Sequence, residues 1–135
     1  MKIDIEMVLL SHKLIIESTG GSLGVRDLQS IKSVIENVYT TFDGCEVYPT
    51  KEDKASYLLI GLIKAHGFID GNKRIGVNTL LSYLNMNGIR IETTNEELER
   101  LGSDVASADL SKTEYFEAYK EKVKNWIINH KKERC

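Results

Sequence analysis

The chain has 135 residues, 41% of them hydrophobic and 28% charged, with a net charge of −2 at neutral pH. That length suits one domain with a buried core, so a single domain over residues 1–135 is expected. The slight negative charge excludes binding to DNA or RNA by bulk electrostatics, and no direct nucleic-acid contact is expected.

Two cysteines, Cys45 and Cys135, give neither a disulfide framework nor the Cys/His spacing of a zinc site. The opening stretch "MKIDIEMVLLSHKLIIES" has no uncharged run long enough for a signal peptide or a membrane span. A cytoplasmic protein with no membrane partner is the expectation.

The first predicted element is a helix in "DIEMVLLSHKLIIESTGG", with Met7, Leu10, Leu14 and Ile15 on one face and a stop at Gly20-Gly21. A second follows in "DLQSIKSVIENVYTTF", N-capped by Asp27, with Leu28, Ile31, Ile35, Val38 and Phe42 as its apolar positions. "DGCEVYPT" reads as a loop. Thr50 then caps a helix reaching Ile63 to His66, almost wholly apolar along "SYLLIGLI", with Ala55, Leu58, Leu59 and Leu62; it is expected to be the central buried helix. "KRIGVNTLLSYLNMNG" is the next helix, closed by Gly88, and "IRIETT" is short and extended. Thr94 to Glu97 and Ser111 to Glu114 each match a capping box and open two further helices. The last runs through Tyr115, Tyr119, Val123, Trp126 and Ile127, and His130 with "KKERC" reads as a solvated tail. One proline in the whole chain argues against a loop-rich or all-β domain. The fold class expected is all-α, a compact helical domain.

The stretch joining the two central helices, "HGFIDGNKR" (residues 66–74), carries the chemistry. Gly71 and Asn72 fall where the second central helix opens, and free N–H groups at such an end attract anions. Lys73 and Arg74 sit in the first turn, where the helix dipole disfavours a cation by about 0.3–1 kcal/mol each. Two together point to a bound anion that offsets the cost. Asn78, four residues after Arg74, lies on the same face. Asp70 is placed to hold Mg²⁺, which takes one or two carboxylates plus substrate phosphates. His66 can accept a proton from an attacking hydroxyl near neutral pH, and Phe68 can pin the loop to the core.

Each residue also has an ordinary reading. His66 can be a partner for the helix dipole, Lys73 and Arg74 can be solvated charges, and Asn78 divides evenly between site and surface. Asp-Gly most often marks a hairpin, although helical flanks disfavour one here. These readings are sound singly and poor as a joint explanation. Together the parts describe transfer of a phosphorus group from a nucleotide to a hydroxyl.

Residues 66–74 resemble the core motif of the Fic/Doc family, and most closely its Doc branch, whose pattern runs H-x-F-x-D-x-N-K-R. "ESTGGSLGVRD" and "NKRIGVNTLLSYLNMNGI" extend the likeness on either side. The resemblance implies the helical Fic fold, with ATP as co-substrate and Mg²⁺ as cofactor. It implies His66 as general base, Asp70 as metal ligand, and Gly71 with Asn72 as an anion hole. Lys73, Arg74 and Asn78 would hold the nucleotide phosphates.

The departures from the pattern carry information of their own. Adenylyl-transferring Fic proteins read H-P-F-x-x-G-N-G-R-x-x-R, whereas here Gly67 replaces the proline, Lys73 the second glycine, and Val77 the final arginine. Resemblance to Doc implies a toxin that phosphorylates a Ser/Thr hydroxyl of a translation protein, elongation factor Tu, and arrests growth. Gly71 is shared with the adenylylating pattern, so AMP transfer and a catalytically silent nucleotide-binding module stay open as alternatives. The inhibitory S/T-x-x-x-E-G/N helix of many Fic proteins has no match, because Lys32 stands four residues before Glu36-Asn37. A separate antitoxin is therefore the expected partner, besides the protein substrate. Residues 17–27 or 43–49 are candidates for shaping a flap that docks the target.

Overall fold

A computed structural model describes residues 1–133; expectations touching Arg134 and Cys135, including how Cys135 relates to Cys45, lie outside the described residues. Helix α1 (Ile5–Thr19) is capped by Asp4, whose carboxylate accepts the Met7 amide at 2.9 Å, and it stops at Gly20. Its buried residues are Val8, His12 and Ile16, spaced four apart. Leu10 and Leu14, expected inside, are 58% and 56% exposed. Met7 and Ile15 do pack against the core, half-buried as its margin, so periodicity placed the face only in part.

Helix α2 (Leu28–Asn37) starts at Asp27 as expected, the side chain accepting the Ser30 amide at 3.1 Å. Ile31, Val34, Ile35 and Val38 enter the core, while Leu28 and Phe42 lie on the surface. The expected loop after it is a hairpin: β1 (Thr41–Phe42) pairs antiparallel with β2 (Cys45–Glu46). Asp43 and Gly44 at its tip have φ of 53° and 81°, the two positive values that an Asp-Gly hairpin turn needs.

Helix α3 (Lys51–Ala65) begins in a complete capping box between Thr50 and Asp53. Ala55, Leu58, Leu59, Ile60, Leu62 and Ile63 are all buried, so α3 is the central helix. Helix α4 (Asn72–Met86) lies most extensively against it. Gly76 permits that approach, since a Cβ there would stand 2.7 Å from Ile63 Cγ1 and 3.2 Å from the Leu59 carbonyl.

After β3 (Ile89–Ile91) come α5 (Asn95–Ser107) and α6 (Thr113–His130). Thr94 caps α5 as expected, accepting the Glu97 amide at 3.1 Å. The second capping box does not form. The N-cap of α6 is Lys112, without a side-chain bond, because Ser111 donates its hydroxyl to Asp109 at 2.7 Å instead. Nor do residues 130–133 form a solvated tail: β4 (Lys131–Glu133) pairs antiparallel with β3. His130 stacks on Trp126 at 4.2 Å and bonds Glu97 at 2.8 Å. The architecture is all-α in character, six helices among the described residues with two short ribbons at the edge. Among the described residues, no helix is long and apolar enough to cross a membrane.

Candidate active site

The motif loop occupies the turn from α3 into α4 and is anchored from three sides. Phe68 is 1% exposed, the core pin expected of it. Asn72 reaches back with both ends of its amide, accepting the Phe68 N–H and donating to the Phe68 carbonyl, each at 3.0 Å. Its side chain thus closes the loop, and what Asn72 offers an anion is its backbone N–H. On the outer side, residues 20–27 run antiparallel to the loop. The Ile69 amide donates to Gly24 at 3.1 Å, a bridge joins Val25 to Phe68, and the Arg26 and Asp27 amides both donate to the Gly67 carbonyl. Residues 43–49, the other candidate flap segment, span the turn of the β1–β2 hairpin, β2 and the approach to α3.

Gly67 stands where the adenylylating pattern has proline. A Cβ there would lie 2.3 Å from Ile31 Cγ1, so the packing of α2 under the loop leaves room for glycine alone.

Gly71 is the N-cap of α4, with φ of 80° and no side chain to cap the helix. Its carbonyl accepts the Ile75 amide at 2.9 Å, which leaves the amides of Asn72, Lys73 and Arg74 without an intrahelical acceptor. An uncapped end of this kind is electropositive and suits phosphate oxygens.

Asp70 turns its carboxylate over this end. Oδ2 accepts the Ser22 amide at 3.1 Å and Oδ1 the Gly71 amide at 2.8 Å. The Ser22 and Gly71 amides, and then the Arg74 charge, hold its carboxyl below the usual 3.8. Arg74 Nη2 lies 3.7 Å from Asp70 Oδ1, and Nη1 donates to the Thr19 hydroxyl at 2.7 Å and the Gly20 carbonyl at 2.8 Å.

The two charged groups meet at Gly21. A Cβ on that residue would sit 2.6 Å from Asp70 Oδ2 and 3.0 Å from Arg74 Nη2. Only glycine fits at position 21, against the carboxylate and the guanidinium that flank the uncapped start of α4. Each Asp70 oxygen retains a lone pair beyond its amide bond, so the donor set suits Mg²⁺ shared with phosphates.

Lys73, Arg74 and Asn78 come together along a cleft of about 680 Å³ between α1, α4 and α5, with Thr19 and the apolar side chains of Ile15, Val77 and Leu81. His66 stands apart at the C-cap of α3, exposed and left-handed at φ 47°. No hydrogen bond or ion pair joins it to Asp70 or Arg74 among the described residues. Its imidazole is open to an incoming group.

Residues 2–84 match the model of the Fic/DOC family. The chain belongs to the Fic/DOC family. Among its relatives, "Toxin Doc" of Mycolicibacterium smegmatis (strain ATCC 700084 / mc(2)155) is 33% identical over 92 residues, covering 67% of this chain and 71% of that protein.

The sequence marked residues 17–27 as family-like and as a candidate flap, but did not show that they hold Asp70 and Arg74 in this Fic/DOC site. Ser22 lends only its amide and Gly20 only its carbonyl, so neither side chain announces a role. His12 could have been found, as a lone polar residue at the four-residue spacing of Val8 and Ile16.

Proposed function

We propose that this protein is a Doc-like toxin that moves the γ-phosphoryl group of ATP to a Ser/Thr hydroxyl of a translation protein, elongation factor Tu by resemblance. A separate antitoxin would restrain it, in keeping with the relative named Toxin Doc. The observation that carries this reading is the uncapped start of α4, with Asp70 and Arg74 closing over it around Gly21.

In this scheme the free amides of Asn72, Lys73 and Arg74, with the Lys73 and Arg74 side chains, hold the phosphates, while the Gly71 amide stays with Asp70 Oδ1 and Asn78 steadies the phosphates from the cleft. Asp70 holds Mg²⁺, which supplies charge neutralisation between the phosphate oxygens. His66 Nδ1 or Nε2 takes the proton of the target hydroxyl. The freed oxygen bonds to the γ-phosphorus, the bond from that phosphorus to the bridging oxygen breaks, and ADP leaves.

Val77 lines the cleft one turn beyond Lys73, and no arginine stands there to grip the triphosphate in the adenylylating orientation. Incubation of the protein and a cell extract with ATP labelled at the α or the γ position tests the proposal. Label should pass to protein from the γ position alone. Transfer of α-label would make the protein an adenylyltransferase, and transfer of neither would favour a silent nucleotide-binding module.

A further inference from the structure

His12 is a buried polar side chain that the proposed chemistry leaves unused. It is 3% exposed on the inner face of α1, and its ring stacks on Phe68 with centroids 3.8 Å apart and planes 13° apart. Nε2 lies 2.7 Å from the carbonyl oxygen of Asp70. A carbonyl only accepts, so Nε2 carries the proton and donates it.

We propose that His12 is a positioning residue that fixes the Asp70 carboxylate through the Asp70–Gly71 peptide; its consequence for ligand binding rests on the nucleotide reading above. That peptide is trans and planar, so its C=O and N–H point in opposite directions. The bond to His12 draws the carbonyl toward α1. The N–H therefore faces away, where it holds Asp70 Oδ1 at 2.8 Å.

Rotating this peptide by half a turn changes ψ of Asp70 and φ of Gly71. Glycine accepts φ of either sign, so the local backbone does little to choose between the two orientations. His12 supplies the choice. The Phe68 stack sets the plane of its ring, and the Asn72 clasp sets Phe68. Without the donor, the Gly71 amide loses its aim and the carboxylate loses one of its two amide anchors.

His12→Phe keeps a flat ring against Phe68 and removes the donor, while His12→Gln restores a donor without the ring. Three readouts are taken on the full chain: the position of the His12 ring proton by long-range ¹H–¹⁵N spectra, exchange of the Gly71 amide, and the Mg²⁺ needed for half-maximal ATP binding. The wild type should show the proton on Nε2 and a protected Gly71 amide.

His12→Phe should exchange Gly71 faster and need roughly 10- to 100-fold more Mg²⁺, the usual cost of removing a residue that orients a metal ligand. His12→Gln should recover both. Should His12→Phe not fold, His12→Gln decides on the same readouts: wild-type values support the role, and their loss in a folded protein overturns it. A bare Nε2 in the wild type, or a folded His12→Phe variant with wild-type exchange and Mg²⁺ dependence, also overturns it. A wild type that binds no Mg²⁺-ATP would sink the nucleotide reading instead, with Gly71 exchange still deciding the part played by His12.

Discussion

His66 is held at φ 47°, in the left-handed region that costs an L side chain about 1–2 kcal/mol. The strain sits where the chain must leave α3 and turn at once into the motif loop. Because the side chain is exposed and makes no hydrogen bond among the described residues, His66→Ala should change folding stability by no more than about 0.5 kcal/mol. His66→Gly should stabilise the protein by about 1 kcal/mol, since glycine accepts this backbone freely. Both variants should lose transfer completely. Urea unfolding beside the labelled-ATP assay checks the pair. Full transfer by His66→Ala would remove the general base from the scheme, and a destabilised His66→Gly would remove the strain.

Among the elements, the start of α3 carries a buried ionic cluster remote from the motif in sequence. Asp53 Oδ1 lies 3.3 Å from Lys120 Nζ and 3.2 Å from Lys124 Nζ, while Oδ2 takes the Thr50 hydroxyl at 2.8 Å. Burial alone pushes Asp53 up, but the bonds from Thr50 and Lys124 and the Lys120 charge outweigh it and hold the carboxyl below 3.8. Its contribution to stability is thus complete above the unfolded value and is lost as pH falls through the lower folded one.

Asp53→Ala removes the nearer carboxylate from buried Lys120, which keeps only Glu121 Oε1 at 3.8 Å, and should cost about 3 kcal/mol. Urea unfolding at neutral and acid pH should show the gap between wild type and variant narrowing as Asp53 protonates. A gap that is constant with pH would mean that the cluster does not titrate as described.

Elements were legible in the sequence where their cause is local. Asp27, Thr50 and Thr94 cap their helices because a cap bonds an amide two or three residues on. The motif was legible because nine consecutive residues carry it. Relations across the chain were not. The contact of His12 with Asp70 spans 58 residues, and the Ser22 amide that holds Asp70 spans 48. The same limit hid the burial of His12 and Ile16 on α1 and the pairing of residues 131–133 with β3. Asp-Gly shows how context rules: at 43–44 it turns a hairpin, and at 70–71 it opens a helix.

At the scale of the molecule, the site depends on how closely its layers approach. Helix α2 passes beneath the loop at Gly67, α4 meets α3 at Gly76, and residues 20–27 close over Asp70 at Gly21. Gly67→Ala should overpack against Ile31 and cost roughly 1–3 kcal/mol, with a parallel loss of transfer as the loop shifts. Unchanged melting would show that Ile31 yields without effect. Gly21→Ala, at φ 118° and with a Cβ 2.6 Å from Asp70 Oδ2, should cost about 1–3 kcal/mol in backbone strain and displace the carboxylate, so melting temperature and ligand binding should fall together.

The direct test of the central claim is titration of the ¹⁵N-labelled protein with Mg²⁺-ATP, followed at each backbone amide. The account predicts that Gly71, Asn72, Lys73 and Arg74 shift first and furthest, and that Asp70→Ala abolishes the response. Shifts confined to other parts of the chain, or an Asp70→Ala protein that responds like the wild type, would contradict it.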